Sequence, residues 1–179
     1  MLNVFLDANV FVSAWALDVV MCLSDGGLVY PLWSEAVLSE YVRAMDGLGR
    51  GGIARRTRTV LERSYPYSLV EGWEGRVGCV DLPDPDDRHV VAAALEGECD
   101  AIVTYNLRDF PAERLATLGL RAVSPDDLVM ELVGERPFAV LCVVQGLVAS
   151  KRRPPRTYDQ EIEGLRRCGM RRFADWLDS

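Results

Sequence analysis

The chain has 179 residues, of which 49% are hydrophobic, and its formal net charge is −7. This length and apolar content suit one packed domain with an appendage and exclude a disordered polymer. The acidic balance argues against a protein whose whole surface binds nucleic acid. Basic residues nevertheless concentrate in two segments, 43–63 and 151–172, a pattern that fits either phosphate binding beside an acidic centre or ordinary solvated helix faces.

The cysteines, the single histidine and the uncharged runs exclude several kinds of protein. The 5 cysteines are odd in number and form no CxxC pair, so neither a disulfide scaffold nor a zinc ribbon is predicted, and a reducing cytoplasmic location is expected. His89, the only histidine, excludes histidine triads and HExxH zinc sites, and we expect it at a capping or surface position. The longest uncharged run, Pro137–Ser150, is too short to span a bilayer, so no membrane association is predicted.

Short apolar runs alternate with helical patterns along the first part of the chain. The predicted strands are Leu2–Leu6, Val29–Leu32, 101–104 and 121–123. The predicted helices are about 10–23, 34–45, 53–64, 88–98 and 126–133, with a glycine-rich hinge at 47–52. Ser34, Asp84 and Ser124 are suitable helix N-caps, and a proline follows each of the last two. The segment 69–81 gives no clear prediction.

This alternation predicts an α/β fold with three layers, in which helices cover both faces of a central parallel sheet of four to five strands. Beyond residue 135 the pattern becomes purely helical, over Pro137–Ser150, Tyr158–Arg167 and 170–177, with a stiff break at residues 152–155. We therefore predict two units, a domain at 1–134 and a helical extension at 135–179.

Acidic residues follow the predicted strands at the edge where parallel sheets form their sites. Asp7 ends the first strand, Asp87 lies in the first turn of the helix that Asp84 caps, and Asp109 follows the third strand together with Asn106. Capping and turn roles would explain each acid singly, and we prefer them for Asp84 and Asp86.

Glu40 differs because it lies inside a predicted helix, with Val37 and Ala44 at helical spacing from it. Asp87 likewise shares a helix face with apolar residues. Carboxylates on inner faces need a partner or a cation, and oxygen ligands of this kind suit Mg²⁺ or Mn²⁺. Such a metal supports the hydrolysis of phosphodiesters.

Four segments resemble, in order, the characteristic motifs of the PIN domain family. They are VFLDANVFVSA, LWSEAVLSEYVRAM, DPDDRHVVAAAL and DAIVTYNLRDFP. The resemblance covers about residues 2–134 and implies a metal-dependent ribonuclease in which Asp7, Glu40, Asp87 and Asp109 bind the metal and carry the catalysis. It also implies that Thr104 and Asn106 contact these ligands or the substrate. Many PIN nucleases have an acid where Asn106 stands, which predicts a weaker fourth carboxylate here.

Within that family, DPDDRHV, NLRDFP and a helical extension resemble bacterial toxins of the VapC type. This implies an endoribonuclease toxin that cleaves RNA, is inhibited by a cognate antitoxin and forms a homodimer. Four arginines of the first basic segment are candidates for binding RNA phosphate or an acidic antitoxin segment: Arg55, Arg56, Arg58 and Arg63. Two other interpretations stay open: a house-keeping RNA-processing nuclease without an antitoxin, and a non-catalytic PIN-like module that binds RNA or protein.

Overall fold

We analysed a computed structural model, which describes residues 1–150 and 157–179. Its centre is a parallel sheet of four strands, β1 (Leu2–Leu6), β2 (Val29–Leu32), β3 (Ala101–Val103) and β4 (Ala122–Val123). The spatial order is β2-β1-β3-β4. In β1, Val4, Phe5 and Leu6 point alternately to opposite faces of the sheet and all are fully buried, so helices cover both faces. The predicted three-layer fold is confirmed.

Six helices accompany the sheet up to β4. They are α1 (Ala8–Val12), α2 (Ala14–Asp25), α3 (Glu35–Gly47), α4 (Gly51–Ser64), α5 (Arg88–Glu96) and α6 (Ala112–Ala116). Short 3₁₀ turns form at Trp73–Cys79, Pro85–Asp87 and Leu107–Asp109. The side chains of Ser34 and Asp84 accept hydrogen bonds from backbone amides of α3 and of the turn before α5, as predicted.

Two helix predictions were wrong at their boundaries. The helix predicted over 10–23 is two helices, because the Ser13 side chain accepts a hydrogen bond from Ala16 N and starts α2 as a new helix. The glycine-rich segment 47–52 is not wholly a hinge, since Gly51 and Gly52 already form the first turn of α4. A Cβ on Gly51 would overlap the carboxylate of Asp46, so that exposed side chain would have to move to make room for it.

Four helices form the C-terminal part of the described chain: α7 (Pro125–Glu135), α8 (Pro137–Ser150), α9 (Tyr158–Arg167) and α10 (Arg171–Leu177). Ser124 caps α7, and Thr157 and Gln160 form a capping box that starts α9. The predicted break at 152–155, and with it part of the second basic segment, lies outside the described residues. None of the helices in the described ranges is both long enough and apolar enough to cross a membrane.

The extension docks on the sheet domain through α2 and α7. Gly164 of α9 lies so close to Trp15 of α2 that a Cβ on Gly164 would overlap the indole ring. The buried carboxylate of Asp126, in α7, accepts hydrogen bonds from the backbone amides of Arg172 (3.1 Å) and Phe173 (2.9 Å) at the start of α10. This carboxylate satisfies amides that helix α10 itself cannot pair.

Candidate metal and catalytic site

Asp7 stands at the centre of the candidate site, directly after β1. Its side chain is buried, with 7% of its surface exposed. Oδ1 accepts a hydrogen bond from Ala8 N at 2.6 Å, and Oδ2 accepts one from the Thr104 hydroxyl at 2.7 Å. Because β1 and β3 pair in parallel, with Leu6 opposite Val103, the residues that follow the two strands meet at the same edge. The predicted contact between Thr104 and a site carboxylate is therefore present.

Asn9 is a site residue that the sequence did not reveal. Its amide nitrogen donates to Asp7 Oδ2 at 2.6 Å and to Thr104 Oγ1 at 2.9 Å, while its Oδ1 accepts from Tyr105 N at 3.0 Å. Asn9 thus ties the segment after β1 to the segment after β3. The one signal in the sequence was a lone polar side chain two residues after Asp7 in an otherwise apolar segment.

Glu40 reaches the site from the middle of α3. Its side chain is 34% exposed, and its Oε1 lies 3.0 Å from His89 Nε2 in α5. The expected inner face is only partly correct, because Val37 is buried whereas Ala44 is exposed. The surface position expected for His89 is wrong, since its side chain is 14% exposed.

Asp87 ends the 3₁₀ turn before α5 and shares its face with buried residues of that helix, as predicted. The pKa of Asp87 is raised from 3.8 to about 6, mainly by burial and also by the negative charges of Asp7, Asp109 and Asp84, against an opposing effect of His89. Asp84 also receives the hydrogen bond expected of an N-cap, from Asp86 N at 2.9 Å.

Asp109 lies in the 3₁₀ turn after β3, where the Asn106 side-chain amide donates a hydrogen bond to its Oδ2. The Asn106 backbone amide in turn donates to the Thr104 hydroxyl at 3.0 Å. Asn106 is therefore the hydrogen-bond donor that orients Asp109, and it adds no negative charge of its own. An acid at this position would instead place a further negative charge against Asp109.

The four predicted carboxylates act on one another electrostatically. Burial raises the pKa of Asp7, the hydrogen bonds from Thr104 and Ala8 lower it, and the charge of Glu40 raises it. Asp7 and Asp109 act in the same direction on Asp87. Of the four neighbouring acids, Asp7 and Asp87 have raised pKa values and are hard to ionise. A divalent cation would stabilise the ionised carboxylates, so these residues suit Mg²⁺ or Mn²⁺.

Three of the four carboxylates already have partners of their own. Within residues 1–150 and 157–179, no three Asp, Glu, His or Cys side chains already form a set that could enclose a metal ion. Glu40 contacts His89, Asp109 accepts from Asn106, and Asp7 accepts from Thr104. The site is thus a group of neighbouring acids, three of which accept hydrogen bonds or contact a basic side chain.

The candidate arginines of α4 fall into two pairs. Arg55 donates two hydrogen bonds to Asp46, each of 3.0 Å, and Arg58 binds both oxygens of Glu35 at 2.8 Å as well as Glu62. Arg56 and Arg63 are exposed and form no ion pair with any described residue. Arg56 and Arg63 are therefore the better candidates for binding an external anion.

Two parts of the chain match known protein families. Residues 3–108 match the PIN domain, which covers more than half of the chain. The chain belongs to the PIN domain family. Three of the four candidate carboxylates lie inside this match, and Asp109 lies one residue beyond it. Residues 125–179 match the VapC50 C-terminal domain, so the helical extension also has a known counterpart.

Two curated proteins are similar to parts of this PIN-domain chain. A Mycobacterium tuberculosis protein named "Putative ribonuclease VapC50" is 34% identical over 79 residues, which are 44% of this chain and 47% of that protein. A Mycolicibacterium smegmatis protein named phospho-N-acetylmuramoyl-pentapeptide-transferase is 31% identical over 99 residues, 51% of this chain and 24% of that protein. The chain thus aligns with less than half of either relative. No solved structure matches it significantly.

Proposed function

We propose that this PIN-domain protein is a metal-dependent endoribonuclease and the toxin of a bacterial toxin–antitoxin pair. The observation that supports the nuclease proposal is the mutual influence of the acids: the charge of Glu40 acts on Asp7, and those of Asp7 and Asp109 act on Asp87, and the pKa values of Asp7 and Asp87 are raised. The toxin proposal rests on the match of the extension to the VapC50 C-terminal domain and on the partial similarity to the mycobacterial VapC50.

The four carboxylates would hold Mg²⁺ or Mn²⁺, with Asp7 and Asp87 as the principal ligands and Glu40 and Asp109 completing the set. A bound divalent cation supplies positive charge that activates water and offsets charge on the leaving oxygen of a phosphodiester. Thr104 and Asn9 fix the rotamer of Asp7 through hydrogen bonds of 2.7 and 2.6 Å. Asn106 fixes Asp109. These donors hold the acids in place before the substrate arrives.

The substrate and partners follow from the same surfaces. We expect Arg56 and Arg63 to bind the phosphates of single-stranded RNA. The scissile phosphodiester would then lie at the edge of the sheet that carries the carboxylates. We expect a cognate antitoxin that covers this basic face, and a homodimer as the free form. We also place the protein in the cytoplasm, where its thiols stay reduced and RNA is present. The division at 134/135 remains our prediction for the boundary between nuclease domain and extension.

The deciding experiment incubates the purified protein with a mixed RNA pool, with and without EDTA, and maps the new ends. We expect new ends that require Mg²⁺ or Mn²⁺ and that are absent with the Asp7→Asn variant. No cleavage by the wild type with either metal would favour a binding module. Cleavage that persists in EDTA would refute the carboxylate site.

The toxin proposal needs a separate test, because a house-keeping nuclease would pass the first one. A toxin gene is expected to be preceded by a gene for a small DNA-binding protein, and co-expression of that protein should suppress the RNA cleavage. If cleavage is unchanged in the presence of the neighbouring protein, the house-keeping interpretation is favoured.

A further inference from the structure

His89 is largely buried at a point where it contacts a candidate metal ligand. It is the second residue of α5, and its Nε2 lies 3.0 Å from Glu40 Oε1. Its ring packs on Trp73, with ring centres 5.9 Å apart and an angle of 51° between the planes. The imidazole is therefore held in position by packing, and it connects α5, which starts directly after Asp87, with α3, which carries Glu40.

Glu40 has a second, weaker partner on the other side. Arg43 Nη2 lies 3.8 Å from the same Oε1, and the Arg43 side chain is 76% exposed. Arg43 lies on α3 itself, three residues after Glu40, whereas His89 lies on α5 and is closer to the same oxygen. An exposed ion pair of this kind contributes little to stability. Water weakens the attraction between the two charges, and both side chains lose conformational freedom when they pair. His89 is thus the closer and less exposed of the two partners of Glu40.

The two ring nitrogens of His89 have different surroundings. Nε2 faces the Glu40 carboxylate, which can only accept a hydrogen bond when ionised. Nδ1 is buried and has no hydrogen-bond partner among the residues that the structure describes. This arrangement favours the tautomer in which the proton is on Nε2 and is donated to Glu40.

We infer that His89 is a positioning residue, whose Nε2–H group holds the Glu40 carboxylate toward Asp7 so that Glu40 is available as a metal ligand. The inference rests on the proposed nuclease function. Partners that bond to a metal ligand rather than to the metal typically change metal affinity by about 10- to 100-fold when they are removed. His89 itself does not touch the substrate, so its loss weakens metal binding more than it slows the saturated reaction.

Substitutions of different reach test the contact. His89→Gln places an amide N–H₂ near the position of Nε2, whereas His89→Asn places the same group near Nδ1, short of Glu40. Arg43→Ala is the matched control, because it removes the other partner of the same oxygen. Calorimetry with Mn²⁺ measures the Kd of each purified full-length variant, and the RNA assay measures kcat at saturating Mn²⁺.

We expect His89→Asn to raise the Mn²⁺ Kd about 10-fold while kcat at saturating metal stays close to that of the wild type. His89→Gln and Arg43→Ala should keep a Kd near the wild-type value. An unchanged Kd in His89→Asn, or an equal increase in Arg43→Ala, would overturn the inference. Circular dichroism of the metal-free variants shows that each is folded before it is titrated.

A second measurement does not depend on metal. Because His89 is the only histidine in the chain, an untagged protein labelled with ¹⁵N-histidine gives the signals of a single imidazole. We expect the proton on Nε2, where it faces Glu40, and a change of the Nε2 shift in Glu40→Gln but not in Arg43→Ala. The opposite tautomer, or no response to Glu40→Gln, would refute the contact.

The two measurements separate the inference from the proposed function. If the wild type binds no Mn²⁺ or Asp7→Asn binds it equally well, the proposed metal site fails and the positioning role of His89 fails with it. If the wild type binds Mn²⁺ and Asp7→Asn does not, the proposed site stands. The His89 variants then decide the inference alone.

Discussion

Asp7 and Asp126 are two aspartates buried to nearly the same extent, 7% and 8% exposed, in different surroundings. Both oxygens of Asp126 accept backbone hydrogen bonds from the start of α10, so the carboxylate joins α7 to α10. Asp7 also accepts hydrogen bonds, but its neighbours include Glu40 and Asp87, whose charges oppose its own. Burial of an acid therefore does not by itself point to a metal site, whereas burial among other acids makes it a candidate ligand.

The largest expected difference between the two aspartates is their response to metal. A ligand present at 100 times its Kd stabilises the folded protein by about 2.7 kcal/mol, so saturating Mn²⁺ should raise the wild-type Tm clearly. Asp7→Asn should abolish this increase together with RNA cleavage, while Asp126→Asn should keep both. Thermal unfolding with and without Mn²⁺ measures the effect, and equal Mn²⁺ responses in the two variants would contradict the comparison.

Without metal, removing the Asp126 carboxylate should destabilise the chain. Asp126→Ala leaves the amides of Arg172 and Phe173 without their acceptor in a buried place, which costs about 1–3 kcal/mol. Asp7→Asn should lower stability in EDTA less than Asp126→Ala does, because the hydrogen-bond acceptor that it removes is offset by the loss of a charge that burial disfavours. Urea unfolding in EDTA gives both values.

Asp175→Asn is the control for Asp126→Ala, since it removes an exposed partner of Arg166 and should cost less than about 1 kcal/mol. If Asp126→Ala lost no more stability than this control, the hydrogen bonds from α10 to the Asp126 carboxylate would not be needed to dock α10.

The pH dependence of Asp87 gives a smaller effect. The pKa of Asp87 is raised from 3.8 to about 6 in the folded chain, so the native state keeps a proton that the unfolded state has lost in this range. Stability from this group is therefore present at acid pH and is lost as the pH rises toward about 6. Unfolding in EDTA across this range should show a negative slope that is reduced in Asp87→Asn. A wild type and variant with the same slope would contradict the assignment.

Mn²⁺ affinity should change in the opposite direction over the same range. The proton on Asp87 must leave before the carboxylate can bind a cation, so the affinity should increase as the pH rises through about 6. Calorimetry at several pH values measures it, and an affinity independent of pH here would argue against Asp87 as a ligand.

The smallest expected effect concerns arginines whose charge is already paired and arginines whose charge is not. Arg55 is bound to Asp46, whereas Arg56 forms no ion pair with a described residue, so of these two Arg56 is the one free for phosphate. Replacing Arg56 or Arg63 with Gln should lower the salt dependence of RNA binding by about 0.7 in log–log slope for each phosphate that is no longer neutralised. Arg55→Gln serves as the control, and a slope reduced equally in that variant would contradict the distinction.

Several features of this protein could be deduced from the amino-acid sequence alone: the alternating strands and helices, the caps at Ser34, Asp84 and Ser124, and the strand ends that carry Asp7 and Thr104. They depend on local periodicity, capping chemistry and the rule that parallel strands end at one edge, so short segments are enough to predict them. The ordered motifs added the PIN family, which the match over residues 3–108 confirms. The candidate site residues were predicted one by one, at positions along the chain.

Which side chains contact one another became known only from the folded chain. The Asn9 bridge joins residues 95 and 96 positions apart, and the contact between Glu40 and His89 joins α3 to α5, so neither is encoded in a local pattern. The same holds for Arg55 and Arg58, whose charges are neutralised by Asp46 and Glu35 across helices. Sequence spacing fixes the face on which a side chain lies, but whether its charge is already paired depends on what the fold brings opposite to it.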